Sequence, residues 1–215
     1  MRAWLRRNRW GLVGLPVAAA LLVAGNGQRV KGWWWQADLR YAAATADQGE
    51  WLTYAEDFED AVGPATHRIT FRITGLERID SYTDQWGTTT TVSNPAYDAW
   101  RVHLDGKADP DTVLVGCSMA LTEADGTRYE WADNTDNIQQ DQLYPCLPAD
   151  AYGPSTSISR GADERDLGGP ELDPSARAPQ WSVEPVFFVP KGTEITGVML
   201  WWQPPSYAKV SVRPD

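Results

Sequence analysis

The sequence predicts an all-β, antiparallel domain, a sandwich or a barrel, carried behind one N-terminal transmembrane helix. Three observations lead there. A charge-free window from Trp10 to Gln28 follows Arg2, Arg6, Arg7 and Arg9. Beyond residue 65 apolar side chains recur at every second position, the period of a half-buried strand. Gly, Pro and Asp punctuate these runs, and no convincing amphipathic helix interrupts them.

The nineteen residues of the window would make roughly 28 Å of helix, against about 30 Å for the hydrocarbon core of a bilayer. Trp10 and Trp33 would then stand about 35 Å apart, one at each membrane–water interface, with Trp34 and Trp35 beside the outer one. Arg29 and Lys31 would snorkel outward. The side richer in Lys and Arg stays in the cytoplasm. Residues 1–9 are therefore expected inside, 10–31 across the plasma membrane as a signal anchor, and the remainder outside. Val23-Ala24-Gly25 also fits a cleavage point, so a removed export signal stays open as the alternative.

Charge divides at the membrane. Residues 1–31 hold six of the 19 Lys and Arg and none of the 29 Asp and Glu, which leaves the rest with a formal charge of −16. So acidic a surface argues against a nucleic-acid partner, because phosphates demand a basic one. Membrane lipid is contacted through the helix alone. Cys117 and Cys146 are expected to pair, since a disulfide persists in an outward-facing domain and is the simplest use of two cysteines. A zinc site or a redox Cys-x-x-Cys would need other spacings.

Residues 32–64 read as a juxtamembrane segment in which a short helix is open to Ala37–Ala44, without a strong cap. The domain proper is expected at 65–215. In His67–Thr74, Ile69, Phe71 and Ile73 oppose Arg68, Thr70 and Arg72; in Ala99–Leu104, Trp100, Val102 and Leu104 oppose Arg101 and His103. Val113, Val115, Cys117, Met119 and Leu121 make one inward face. Asp125-Gly126 then turns the chain toward Tyr129 and Trp131. Further strands are expected at Trp181–Val189, Ile195–Trp202 and Tyr207–Val212. Between them a long loop, 145–180, is rich in Pro, Gly, Ser and Asp and has no period.

Three of these segments, Arg68–Leu76, Leu121–Tyr129 and Val186–Gly192, carry a resemblance. In that order they resemble the exported immunoglobulin-like domains of actinobacterial envelope proteins, the DUF4352-type group. The anchor with its Trp run and the closing Leu200–Tyr207 are similar to single-pass actinobacterial proteins without an assigned activity. The resemblance spans roughly residues 65–212. It implies an antiparallel immunoglobulin-like β-sandwich of about seven to nine strands, and it carries over no catalytic residue.

Chemistry is harder to find. His67 and His103 each read as an exposed strand residue. No Gly-x-Ser-x-Gly elbow occurs, and Ser118 faces away from the core side of its strand. Acid pairs such as Glu130 with Asp133, or Glu56 with Glu59, keep an exported carbohydrate-active or hydrolytic enzyme as the alternative reading. Residues 105–111 and 133–137 offer hard oxygen ligands for calcium, yet neither has the spacing of an EF-hand. No catalytic residue, metal or cofactor is assigned. Adjacent on a strand, Trp201 and Trp202 point to opposite faces, so only one can fill a one-sided core; the other is either covered by the 145–180 loop or exposed for binding. Trp202 and Trp131 are nominated as a binding surface. The expectation is a membrane-anchored extracytoplasmic binding or scaffolding module, or an accessory subunit of a membrane complex, which is not an enzyme and whose partner is a protein of the envelope or membrane.

Overall fold

The computed structural model describes residues 8, 14–18, 20–22, 25, 38–60, 63–83, 88–92, 94–131, 144–154 and 177–213. Residues 14–18 and 20–22 are helical and exposed. Among the described residues no helix is long and apolar enough to cross a membrane. Trp10 and Trp33–Trp35, the expected interface residues, lie outside the described residues.

Alternation drives the rest of the chain into strands. The first sheet has the order β1 (Tyr41–Asp47), β12 (Ser206–Ser211), β11 (Gly197–Trp201), β7 (Ser118–Thr122), β8 (Arg128–Glu130). In the second, β2 (Leu52–Asp60), β3 (Gly63–Ile79) and β6 (Tyr97–Lys107) are neighbours, and β9 (Gln180–Val183) and β10 (Val186–Pro190) both pair with β6. A hairpin of β4 (Ser81–Thr83) and β5 (Thr89–Thr91) completes the set. Every pairing is antiparallel except that of β1 with β12, which is parallel.

One core joins the two five-stranded sheets. Met119, Leu121, Val198, Leu200, Ala208 and Val210 enter it from the first, and Tyr54, Ile69, Phe71, Ile73, Val102, Leu104 and Phe187 from the second. The predicted alternation in β3 and β6 holds. The strand order differs from that of a constant-type immunoglobulin domain, where the third strand has already crossed to the other sheet. Here β2, β3 and β6 stay neighbours in one sheet.

Several elements depart from expectation. The segment read as juxtamembrane, 32–64, supplies β1 and β2, so the domain starts well before residue 65. The expected short helix over Ala37–Ala44 is overridden because Tyr41–Asp47 pairs with the last strand of the chain, from Tyr41 opposite Ser206 to Asp47 opposite Ser211. Such pairing outweighs the helical preference of an alanine run. In the run Val113–Leu121 only the end is a strand. Leu114, fully buried, is the core residue there, while Val113 and Val115 are half-buried. The expected strand Trp181–Val189 is split at Glu184-Pro185. Proline lacks the N–H a ladder needs, and its carbonyl instead accepts from Val102 N at 3.0 Å.

The disulfide Cys117–Cys146 is formed. It ties the approach to β7 to residues 144–154, and Trp181 Nε1 donates to Cys146 O at 2.9 Å. The Trp181 indole lies flat on Gly106, where a Cβ would overlap the ring. Of the long loop 145–180, residues 145–154 and 177–179 contain no strand; residues 155–176 lie outside the described residues.

Candidate functional site

Two places on the second sheet gather the polar and aromatic chemistry of the domain. On its inner face, β2 presents Leu52, Tyr54, Glu56 and Phe58, and β3 presents His67 directly opposite Glu56. His67 is buried, with its ring stacked between Phe58, at 3.9 Å and 6°, and Trp202, at 4.9 Å and 9°. Tyr54 continues the stack on Trp202 at 5.7 Å. Its hydroxyl donates to Glu56 Oε2 at 2.9 Å.

The polar ends of this stack are anchored to one loop. His67 Nδ1 lies 2.8 Å from Val113 O, and Trp202 Nε1 donates to Leu114 O at 2.9 Å. A carbonyl only accepts, so the His67 proton sits on Nδ1. Burial pushes the His67 pKa down, which the bond to Val113 partly opposes. Burial pushes Glu56 up, against its bonds from Tyr54 and from the Gln203 and Trp202 backbone. Tyr54 is raised as well, by burial first and then by the neighbouring carboxylate.

The outer face carries a ladder of ion pairs. Arg72 Nη2 meets Asp105 Oδ2 at 2.8 Å, and Ser182 Oγ donates to Asp105 Oδ1 at 2.6 Å. These bonds, Ser182 first, hold the Asp105 pKa below its ordinary value. Further along β6, beyond His103, Arg101 Nη1 meets Glu77 Oε1 at 2.9 Å. The ring of His103 lies between two glutamates, with Nδ1 3.1 Å from Glu184 Oε1 and Nε2 3.5 Å from Glu77 Oε1. At the edge, the partly exposed Trp51 ring has Lys107 Nζ at 3.8 Å and the Arg72 guanidinium at 4.6 Å from its centre. Such cation–π contacts contribute about 0.5–1 kcal/mol at exposed sites.

The nominated residues fall differently from expectation. Trp202 is buried in the stack, and Trp131 is half-buried and packed against the same core, so the two do not form an exposed surface. Trp201 is buried too. It packs with Met199 and Ala120 on the other face of the first sheet, beside Leu39 and Tyr207. Both members of the Trp pair are therefore covered, one of the two outcomes the sequence left open. His67 was expected exposed and is a core residue, because the inner face of β3 continues past Ile69. Its position in phase with Ile69, Phe71 and Ile73 was the signal that could have found it.

Residues 105–111, read as a loop rich in oxygen ligands, do meet a cation. It is the guanidinium of Arg177, which is 1% exposed. Nη2 donates to Asp109 O at 2.7 Å, Thr112 O at 2.9 Å and Pro110 O at 3.3 Å, and Nη1 to Tyr152 O at 3.1 Å. Trp181 packs at 5.2 Å. Burial pushes the Arg177 pKa down to about 10, opposed by the charge of Asp109, and leaves the group cationic at neutral pH. A planar fork of five donors suits a cage of carbonyls. Nothing in the sequence flagged Arg177, which sits in a stretch without period. The second oxygen-rich segment, 133–137, lies outside the described residues.

Among the described residues no three of His, Cys, Asp and Glu converge to hold a metal ion. Compared with known proteins, the chain matches no family, no curated protein and no solved structure.

Proposed function

We propose that this chain is a membrane-tethered, extracytoplasmic binding or scaffolding module, a β-sandwich that serves as the exported immunoglobulin-like domains of actinobacteria do although its strand order differs, and which engages a protein partner of the envelope or membrane. The observation that carries this reading is how the reactive side chains are used. The His67 ring is stacked and bonded to Val113 O, His103 is held between Glu77 and Glu184, and Trp202 Nε1 is bonded to Leu114 O. Groups committed in this way stiffen a scaffold, and a stiff scaffold suits binding because little ordering is needed on contact. The disulfide and the −16 charge beyond residue 31 fit the oxidising, aqueous side of a membrane.

The rival reading, an exported carbohydrate-active or hydrolytic enzyme with paired carboxylates, has one observation in its favour. Glu56 is a half-buried acid whose pKa is raised by burial, as a general acid requires. Its bonded neighbours are the Tyr54 hydroxyl and the Gln203 backbone rather than a second acid.

Cross-linking the full-length protein in membranes tests the reading. A defined protein recovered reproducibly, from a chain whose N-terminal mass includes Trp10, is the expected result. Reproducible failure to recover any partner, or a mature chain beginning near Gly25 and released from the membrane, would overturn it.

A further inference from the structure

Just before its first strand the chain is tied to the domain at three points. Asp38 Oδ1 accepts from Arg128 Nη2 of β8 at 2.7 Å. Leu39 packs against Ala120 of β7 and against Met199 and Trp201 of β11. The main-chain N–H groups of Arg40 and Tyr41 both donate to Pro205 O, at 2.7 and 3.0 Å, where β11 turns into β12. Residues 38–41 thus form a strap that crosses the first sheet from β8 to the start of β12 before entering β1. The strap lies on the outer face, because Leu121, Val198 and Leu200, which alternate with the residues it touches, point into the core.

Two properties set this face apart. It is near the expected anchor: Lys31 and Asp38 are seven residues apart, a reach of at most about 25 Å whatever path residues 32–37 take. It is also not acidic. The five strands of the first sheet hold Asp47, Arg128, Glu130 and Lys209, which sum to zero, whereas those of the second hold seven acids and five cations. In a chain whose formal charge beyond residue 31 is −16, this is the face that an anionic headgroup layer does not repel. Where the strap enters β1, the Tyr41 ring is 52% exposed.

We propose that the outer face of the first sheet lies against the lipid bilayer, held in that orientation by the strap at Asp38–Tyr41. The proposal rests on the membrane-tethered reading and adds to the helix a second place where the protein meets lipid. Tyr41 and Lys209 reach the interfacial layer, where an amphipathic phenol and a cation on a long apolar stem are both favoured. Met199 and Trp201 stay out of the lipid, since they are buried with Leu39 and Tyr207 packed on them. The outer face of the second sheet, with Trp51 and the ion-pair ladder, is then carried on the far side of the core, open to a protein partner.

The test uses the full-length chain in liposomes of phosphatidylcholine and phosphatidylglycerol, with a nitroxide on the headgroup of part of the phosphatidylcholine. Thr45 and Thr53 are exposed and alternate with core-facing residues of β1 and β2, so they mark the outer faces of the first and second sheets. Thr45→Cys and Thr53→Cys are each labelled with a small fluorophore; Cys117 and Cys146, joined to each other, take no label. Because the sheets pack about 10 Å apart, the label at 45 should be quenched about threefold more than the label at 53. Leu39→Ala combined with Arg128→Gln releases the strap and should bring the ratio toward one while the chain still floats with the liposomes. Equal quenching at the two positions, as strands standing upright on the membrane would give, or stronger quenching at 53, would overturn the orientation and leave the tether standing. An unchanged ratio in the released variant would overturn the strap's part in it. A chain that does not float with the liposomes would overturn the tether, and the orientation with it.

Discussion

The two histidines of this domain lie in neighbouring strands of one sheet and have opposite surroundings. His67 faces inward, stacked between Phe58 and Trp202 with its Nδ1–H on a loop carbonyl. His103 faces outward between Glu77 and Glu184, beside Arg101. The sequence pattern placed both on exposed positions. What separates them is phase along the strand. β3 keeps its inward phase back to His67, whereas His103 falls between the inward residues Val102 and Leu104. Inside, burial holds the neutral form; outside, the partners are carboxylates in contact with water. The inner region therefore contributes packing and the outer region contributes screened electrostatics, and the two should respond differently to truncation, pH and salt.

Trp202→Ala should reveal the largest difference. It removes a ring packed on both His67 and Tyr54 and leaves Leu114 O without its donor, so a loss of about 3–5 kcal/mol is expected in denaturant unfolding. A loss below about 1 kcal/mol would mean that the stack does not carry the inner region.

The pH response comes next in size. The folded pKa of His67 is depressed, so the unfolded chain takes up the proton first. Stability is then intact above the unfolded value of about 6.5 and falls as pH drops from there toward the lowered folded value, by at most about 1.4 kcal/mol per pH unit for one proton. Glu56 acts in the opposite sense: its raised pKa stabilises at low pH and that contribution is lost as pH rises through the folded value. Unfolding midpoints between pH 5 and 7.5 should thus slope less in His67→Phe than in wild type. Identical slopes would remove His67 from the account.

The smallest effect is expected on the outer face. Arg101→Gln, which removes the cation paired with Glu77 beside His103, should cost less than about 1 kcal/mol, and the cost should shrink between 0.05 and 0.5 M salt, because such partly exposed pairs are weak and screened. A larger, salt-independent loss would make the outer ladder a structural element comparable to the stack.

Much of the second sheet was legible. In β3 and β6 strong alternation marks both the strand and its inward face, and Pro185 lies where the long strand predicted at Trp181–Val189 divides into β9 and β10. The two cysteines left one intramolecular pairing. β1 was not legible, since Tyr41-Ala-Ala-Ala-Thr-Ala-Asp has no apolar alternation and is a strand only through its parallel partner, which lies more than 160 residues away. β2 does alternate, with Leu52, Tyr54 and Phe58 in phase, but its four acids, Glu56, Asp57, Glu59 and Asp60, masked the pattern.

The candidate site was less legible than the sheets. A strand hides only one of two adjacent tryptophans in a single core, so the sequence leaves the other either exposed or covered from outside that core. Here each face of the strand end finds its own cover: His67 and Tyr54 on one side, Leu39 and Tyr207 with Trp201 on the other.

By itself the sequence determined which residues alternate, which cysteines can join and how acidic the chain is beyond residue 31, all local or countable properties. Only the tertiary structure decided that His67 and Trp202 are core and that Arg177 occupies the carbonyl cage of residues 109–112. The physical reason is that a period of two specifies which side chains share a face. What that face meets depends on strands and loops brought together from distant parts of the chain.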